Sequence, residues 1–190
     1  MSNLIVETRY GKVQGYEQGS ISVWKGIPFA QPPTGELRFR APQPPEPWKG
    51  VRMATTFSPM APQVPEVGAS MVGAIGADRA VEQRPMSEDC LYLNIWSPGT
   101  DQEKRQVMVY IHGGAFTLGS ASDPWYDGTS FATKHNIVVV SLNYRLGILG
   151  FVSFKDLAGA EAGYTANCGL LDQIAALKWV RENIAAFGGD

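Results

Sequence analysis

The stretch Val107-Met108-Val109-Tyr110-Ile111, followed at once by His112-Gly113-Gly114-Ala115-Phe116, constrains this chain most. Five successive apolar or aromatic residues, three of them β-branched, read as a buried strand. The glycine pair then forces a turn at the strand's C-terminal end. Without a Cβ, backbone N–H groups at such a turn can approach a ligand closely. Donors fixed in space suit an oxygen that gains negative charge during a reaction. The turn therefore reads as half of an oxyanion hole, with the nucleophile expected beyond the last residue.

At 190 residues, one domain is the expectation. A net charge of −2 gives no basic face, which argues against nucleic-acid binding. Fully apolar runs extend over only a few residues, far short of the ~20 that a membrane-spanning helix needs. Met1 to Arg9 lacks a basic segment followed by an apolar core, so no signal peptide is expected and the reading is cytoplasmic. Cys90 and Cys168 read as reduced, buried small hydrophobes, with a disulfide as the alternative. Neither has a His or second Cys at metal-ligand spacing, so no metal is expected.

Residues 4–27 alternate in short runs with turns at Tyr10-Gly11 and Gln18-Gly19-Ser20, predicting an antiparallel meander that caps a larger sheet. Residues 28–50 carry seven of the thirteen prolines, which rule out helix and central strand. They read as an extended segment pinned by Phe29, Leu37, Phe39 and Trp48. Residues 58–86 are rich in glycine and small residues and read as a lid or pocket wall. Cys90 to Trp96 reads as a strand, Ser130 to Lys134 as a short helix, and Ile137 to Leu142 as a strand buried on both faces. A longer helix is expected over 167–187, with Leu170, Ile174, Leu177, Val180, Ile184 and Phe187 as its apolar stripe. Leu171, Ala175 and Trp179 widen that stripe, Asn167 is the expected N-cap, and Gly188-Gly189 is the stop. Strand, crossover, strand and helix in this order give the rhythm of an α/β fold.

Six segments in order resemble the type-B carboxylesterases, a family that includes cholinesterases and bacterial para-nitrobenzyl esterases. They are Trp24-Lys25-Gly26-Ile27-Pro28-Phe29-Ala30, Leu37-Arg38-Phe39, Ser87-Glu88-Asp89-Cys90-Leu91-Tyr92-Leu93-Asn94, His112-Gly113-Gly114-Ala115-Phe116, Asn143-Tyr144-Arg145-Leu146-Gly147 and Gly169-Leu170-Leu171-Asp172-Gln173. Ala115 at the third position of the glycine turn is closest to the bacterial branch. The resemblance implies an α/β-hydrolase fold with a mostly parallel central sheet, of which residues 1–190 would be an incomplete N-terminal piece. It implies a Ser–Glu/Asp–His triad and no cofactor. The serine's Gly-x-Ser-x-Gly elbow occurs nowhere in the sequence, so serine, acid and histidine are expected on a C-terminal remainder, as a second chain. The family places a proline after Asp190, and an Asp–Pro bond is a fragile point at which a longer chain would be nicked.

By the same resemblance, the N–H groups of Gly114 and Ala115 supply two of three oxyanion donors, and the third follows the missing serine. Phe116 and Leu118, placed just after the turn, would line the pocket for a small-molecule ester. His112 would support the turn rather than act as the base. Arg38 would pair with Glu88, and Arg145 with Asp172, each pair fixing a loop against the core. Cys90 would lack the upstream partner that closes a loop in secreted members, because Met60, Pro62 and Gln63 stand in that region. Strand 107–111 would lie between strand 137–142 and the serine's strand, and so stand open at the sheet edge here. A serine esterase is the leading reading. A non-catalytic binding or adhesion protein that has lost the serine is the alternative.

Overall fold

The computed structural model describes residues 4–64, 85–154 and 162–190. Most of the expected lid, over 65–84, lies outside the described residues. The described residues form eight strands: β1 (Ile5–Thr8), β2 (Gly11–Gln14), β3 (Tyr16–Gln18), β4 (Ile21–Pro28), β5 (Val51–Met53), β6 (Tyr92–Ser97), β7 (Val107–Ile111) and β8 (Val138–Leu142). Among the same described residues are three α-helices: α1 (Thr129–His135), α2 (Gly147–Phe151) and α3 (Cys168–Asn183).

The strands form two sheets among the described residues, a small one ordered β1-β2-β5 and a central one ordered β3-β4-β6-β8-β7. The expected meander therefore divides. β1 and β2 pair antiparallel and join β5, while β3 and β4 pair antiparallel and enter the central sheet through β4–β6. Antiparallel pairing continues through β6–β8, and the parallel part of the sheet begins where β8 meets β7, from Val107↔Val138 to Ile111↔Leu142. β7 is thus an edge strand in this structure.

β8 is buried at every residue, and its side chains divide between two cores. Val138, Val140 and Leu142 face a core with Trp24, Ile95, Trp179, Val180 and Phe187, whereas Val139 faces one with Ile21, Val23, Trp96 and Ala132. α3 thereby covers one face of the sheet and α1 the other, the layered α/β arrangement that an apolar central strand requires. Trp24 meets the ring of Phe187 edge-on at 4.9 Å, fixing the end of the α3 region to the sheet.

The proline-rich segment remains extended apart from a single 3-10 turn at Gly35–Leu37. Phe29 is buried, and Trp48 donates its indole N–H to the Lys12 carbonyl at 2.9 Å. α3 keeps its expected face in the C-terminal half, where Trp179 and Val180 are buried along with Ile184 and Phe187 just beyond the helix, and departs from it in the N-terminal half. Leu170, Ile174 and Leu177 are 49%, 41% and 43% exposed, while Asp172, Ala176, Trp179, Val180 and Asn183 are buried. The helix presents the row that carries Asp172 and Trp179, because a buried carboxylate must meet its ion-pair partner. Asn167 does stand at the N-cap, but with φ 55° and without a side-chain cap. Its carbonyl instead accepts from Leu170 and Leu171 N–H at 3.0 and 3.1 Å.

Candidate active site

The turn after β7 has an unusual backbone. Gly114, Ala115 and Phe116 have φ of 120°, 51° and 62°, three consecutive residues at positive φ. Glycine at 114 is obligatory on space alone, since a Cβ there would collide with the Leu118 carbonyl. Ala115 and Phe116 adopt a conformation that costs L-residues about 1–3 kcal/mol each and persists only where the surroundings enforce it. A Cβ on Gly113 would meet nothing within 4 Å, so this side of the turn opens to free space.

Several bonds enforce the turn. The Gly114 carbonyl accepts from Thr117 N–H at 3.0 Å, Leu118 N–H at 3.1 Å and Thr117 Oγ1 at 3.2 Å. Gly147 N–H donates to the Phe116 carbonyl at 2.7 Å, and the buried Tyr144 hydroxyl donates to the His112 carbonyl at 2.9 Å. The Gln63 side chain holds Gly119 at the far end of the loop. No acceptor among the described residues takes the N–H of Gly114 or of Ala115, and Ala115 lies exposed. Among the described residues, two amide donors therefore lack an acceptor at an accessible bend, the chemistry needed to hold an anionic oxygen.

His112 is buried beneath the turn and stacks on Tyr144 with 4.5 Å between ring centroids. Its Nδ1 lies 2.9 Å from the Gly113 carbonyl, a geometry that places the proton on Nδ1. Burial lowers its pKa below the ordinary histidine value. Nε2 has no partner among the described residues. The ring thus acts from below as a neutral prop for the glycine turn.

Arg145 and Asp172 are both buried and joined at two points, Nε to Oδ2 at 2.8 Å and Nη2 to Oδ1 at 2.6 Å, while Arg145 N–H adds a third bond to Oδ2 at 3.0 Å. Burial pushes the Asp172 carboxyl up, and these donors pull against it. The pair fixes the start of α2 and the segment carrying Tyr144 and Gly147, so it supports the turn at one remove. Arg38 and Glu88 also meet at two points, at 2.6 and 2.7 Å, but this pair is far more accessible, with the Arg38 side chain 44% exposed.

Phe116 is 57% exposed with its ring 4.8 Å from that of Phe151, and Leu118 is half-buried beneath Gly114. Ser120 and Ser122 are buried and bonded to each other at 2.7 Å, in a polar network with Asn143. Cys90 and Cys168 are both buried and free. No group of three metal-ligating side chains occurs among the described residues. The residues that motif reading missed are Tyr144, Gly147 and Gln63 as struts of the turn. Tyr144 and Gly147 stand inside a quoted motif, but nothing in their spacing shows that they reach back to 112 and 116.

Known proteins resemble this chain in sequence and fold. The sequence profile described as the Carboxylesterase family matches residues 2–190. The chain is 48% identical over its whole length to the para-nitrobenzyl esterase of Bacillus subtilis (strain 168), covering 37% of that protein. It is 46% identical to a medium-chain fatty acyl-CoA hydrolase precursor of Anas platyrhynchos, covering 33% of it. Among solved structures, the carboxylesterase EST55 of Geobacillus stearothermophilus superposes with a TM-score of 0.85 at 50% identity, over 98% of this chain and 35% of that one. A PNB esterase superposes with a TM-score of 0.88 at 49% identity, over all of this chain and 37% of that one. The chain thus spans about a third of the length of these relatives. With the strained glycine bend and the layered α/β core in place, a profile match over 2–190 leaves one assignment: the chain belongs to the carboxylesterase family.

Proposed function

We propose that these residues form the oxyanion side of a serine carboxylesterase acting on small-molecule carboxylic esters. The observation that carries this reading is the bend at 114–116, where two amides without acceptors among the described residues are held at positive φ on an accessible turn. The serine attacks the ester carbonyl. The N–H groups of Gly114 and Ala115 take the oxygen that becomes negative, an acyl-enzyme forms, and water releases it. The serine, acid and histidine come from a C-terminal remainder of the kind that makes up the other two-thirds of the relatives, carried as a companion polypeptide. Phe116 and Leu118 contribute apolar surface beside the bend. No step requires a cofactor or metal. We place the enzyme in the cytoplasm, a reading supported by Cys90 and Cys168 being free.

The test is to purify the native protein with an antibody against this chain, determine the polypeptides present, and treat it with a fluorophosphonate. Expected are hydrolysis of para-nitrophenyl esters, labelling of one serine outside residues 1–190, and loss of hydrolysis on labelling. A native protein with neither labelling nor hydrolysis would instead favour a binding or adhesion role.

A further inference from the structure

Gln63 lies outside the glycine turn, yet it grips the loop that the turn opens. Its Oε1 accepts from Gly119 N–H at 2.8 Å, and its Nε2 donates to the Gly119 carbonyl at 2.9 Å. A primary amide satisfies both main-chain groups of one residue without bringing in charge. Gly119 itself has φ 111°, and a Cβ there would press on the Gly113 carbonyl and on His112 Nδ1, each at 2.5 Å. Gly119 therefore packs directly against the peptide that leads into Gly114. Whatever fixes Gly119 limits how far the Gly113–Gly114 peptide can rotate.

The mount of Gln63 is itself braced. Asn143 Nδ2 donates to the Pro59 carbonyl at 3.3 Å and to Ser58 Oγ at 3.5 Å, while its Oδ1 accepts from Ala121 N–H at 2.8 Å. Met60 N–H donates to the Pro85 carbonyl and Ser87 N–H to the Met60 carbonyl, both at 3.0 Å. The strap 58–63 is thus anchored on both sides before it reaches the loop.

We propose that Gln63 is a positioning residue for ester hydrolysis: its amide clamps Gly119 and so keeps the amides of Gly114 and Ala115 aimed at the developing oxyanion. The proposal rests on the esterase reading given above. Oxyanion donors act only when preorganised, so a displacement of a fraction of an ångström lowers the rate without weakening ground-state binding.

Gln63→Leu removes both bonds to Gly119, together with the Nε2 bond to the Ala61 carbonyl at 3.1 Å, and Gln63→Glu keeps the acceptor for Gly119 N–H but loses the donor at neutral pH. In the complete enzyme, kcat should fall about tenfold in Gln63→Leu and by less in Gln63→Glu, with KM within about twofold of the parent. Affinity for a trifluoromethyl ketone, which presents an oxyanion, should fall in step with kcat, and hydrogen exchange at the Gly119 amide should accelerate. An unchanged kcat in Gln63→Leu overturns the proposal, as do losses shared equally between kcat, KM and thermal stability or failure of both variants to fold. Exchange at Gly119 separates the two readings. A parent enzyme inactive on esters, with Gly119 still protected, fails the esterase reading. An active parent with an indifferent Gln63→Leu variant fails the clamp alone.

Discussion

Gly114 and His112 meet the same small region from opposite sides, and each can be tested singly. Placing a methyl at 114 drives it into the Leu118 carbonyl, so Gly114→Ala must move the loop or the amide. Under the function proposed above Gly114 supplies an oxyanion donor, and loss of one such donor costs on the order of 10²–10³ in kcat. We therefore expect Gly114→Ala in the complete enzyme to lose at least about tenfold in kcat, measured by steady-state hydrolysis. His112 gives a pH signature. Burial lowers its folded-state pKa below 6.5, so the unfolded chain binds the proton more readily. Stability attributable to His112 is then full above about pH 6.5 and falls as the pH drops toward the folded-state value. Melting temperatures recorded from pH 8 to 5 should decline on the acid side, and His112→Asn should flatten that decline. An identical slope in both proteins would contradict a neutral, buried imidazole.

At the scale of elements, the buried Arg145–Asp172 pair and the accessible Arg38–Glu88 pair should behave differently although both are bidentate. Asp172→Asn leaves the Arg145 guanidinium buried without its counter-charge and should cost about 3–5 kcal/mol in unfolding free energy. Because Tyr144 and Gly147 hold the turn from the segment that Arg145 fixes, kcat should fall as well. Glu88→Gln, at the more exposed pair, should have a smaller effect that shrinks further with added salt. Urea titrations of the two variants at low and high ionic strength check both. The same elements show what sequence can and cannot reveal. β7 and β8 were legible as strands because an unbroken apolar run has few other uses; the strand expected over Ile137 to Leu142 is β8 (Val138–Leu142), buried at every residue, whereas β7, read as buried, is half-buried to exposed at the sheet edge. The α3 helix was legible as a helix, and so was the burial of Trp179, Val180, Ile184 and Phe187, but the face buried by its N-terminal half was not. The 170–174–177 row is wholly apolar, whereas the row buried there carries Asp172 and Ala176, and periodicity favours the former. Only the distant Arg145 decides for the latter, and no local pattern encodes that pairing. Gln63 was illegible for the same reason: its partner stands 56 residues away and is a main-chain group without a side chain to signal it.

At the scale of the whole molecule, two apolar surfaces lie uncovered among the described residues. β7 is an edge strand with Tyr110 and Ile111 40% and 38% exposed. On α3, Leu170, Ile174 and Leu177 form a row across two turns, each more than two-fifths exposed. An unpaired edge carrying apolar side chains is a template for association, because its N–H and C=O groups point outward at strand spacing. A contiguous apolar helix row adds a second incentive. Under the reading proposed here, the C-terminal remainder pairs with β7 and brings the nucleophile beside the bend at 114–115. Residues 1–190 expressed alone should therefore bind a hydrophobic dye, elute as oligomers and unfold without a cooperative transition. Co-expression with the remaining two-thirds should abolish dye binding and restore a single transition. Lysine placed at 110 or 111 offers a sharper comparison. In the isolated residues 1–190 it should reduce oligomers, by charging the free edge. In the complete enzyme it should lower yield or stability, by charging a strand that has become interior. Size-exclusion chromatography of both backgrounds reads the difference. A soluble, cooperatively folding monomer from residues 1–190 alone would show that β7 needs no neighbour, and the placement of the nucleophile strand beside it would lose its physical motive.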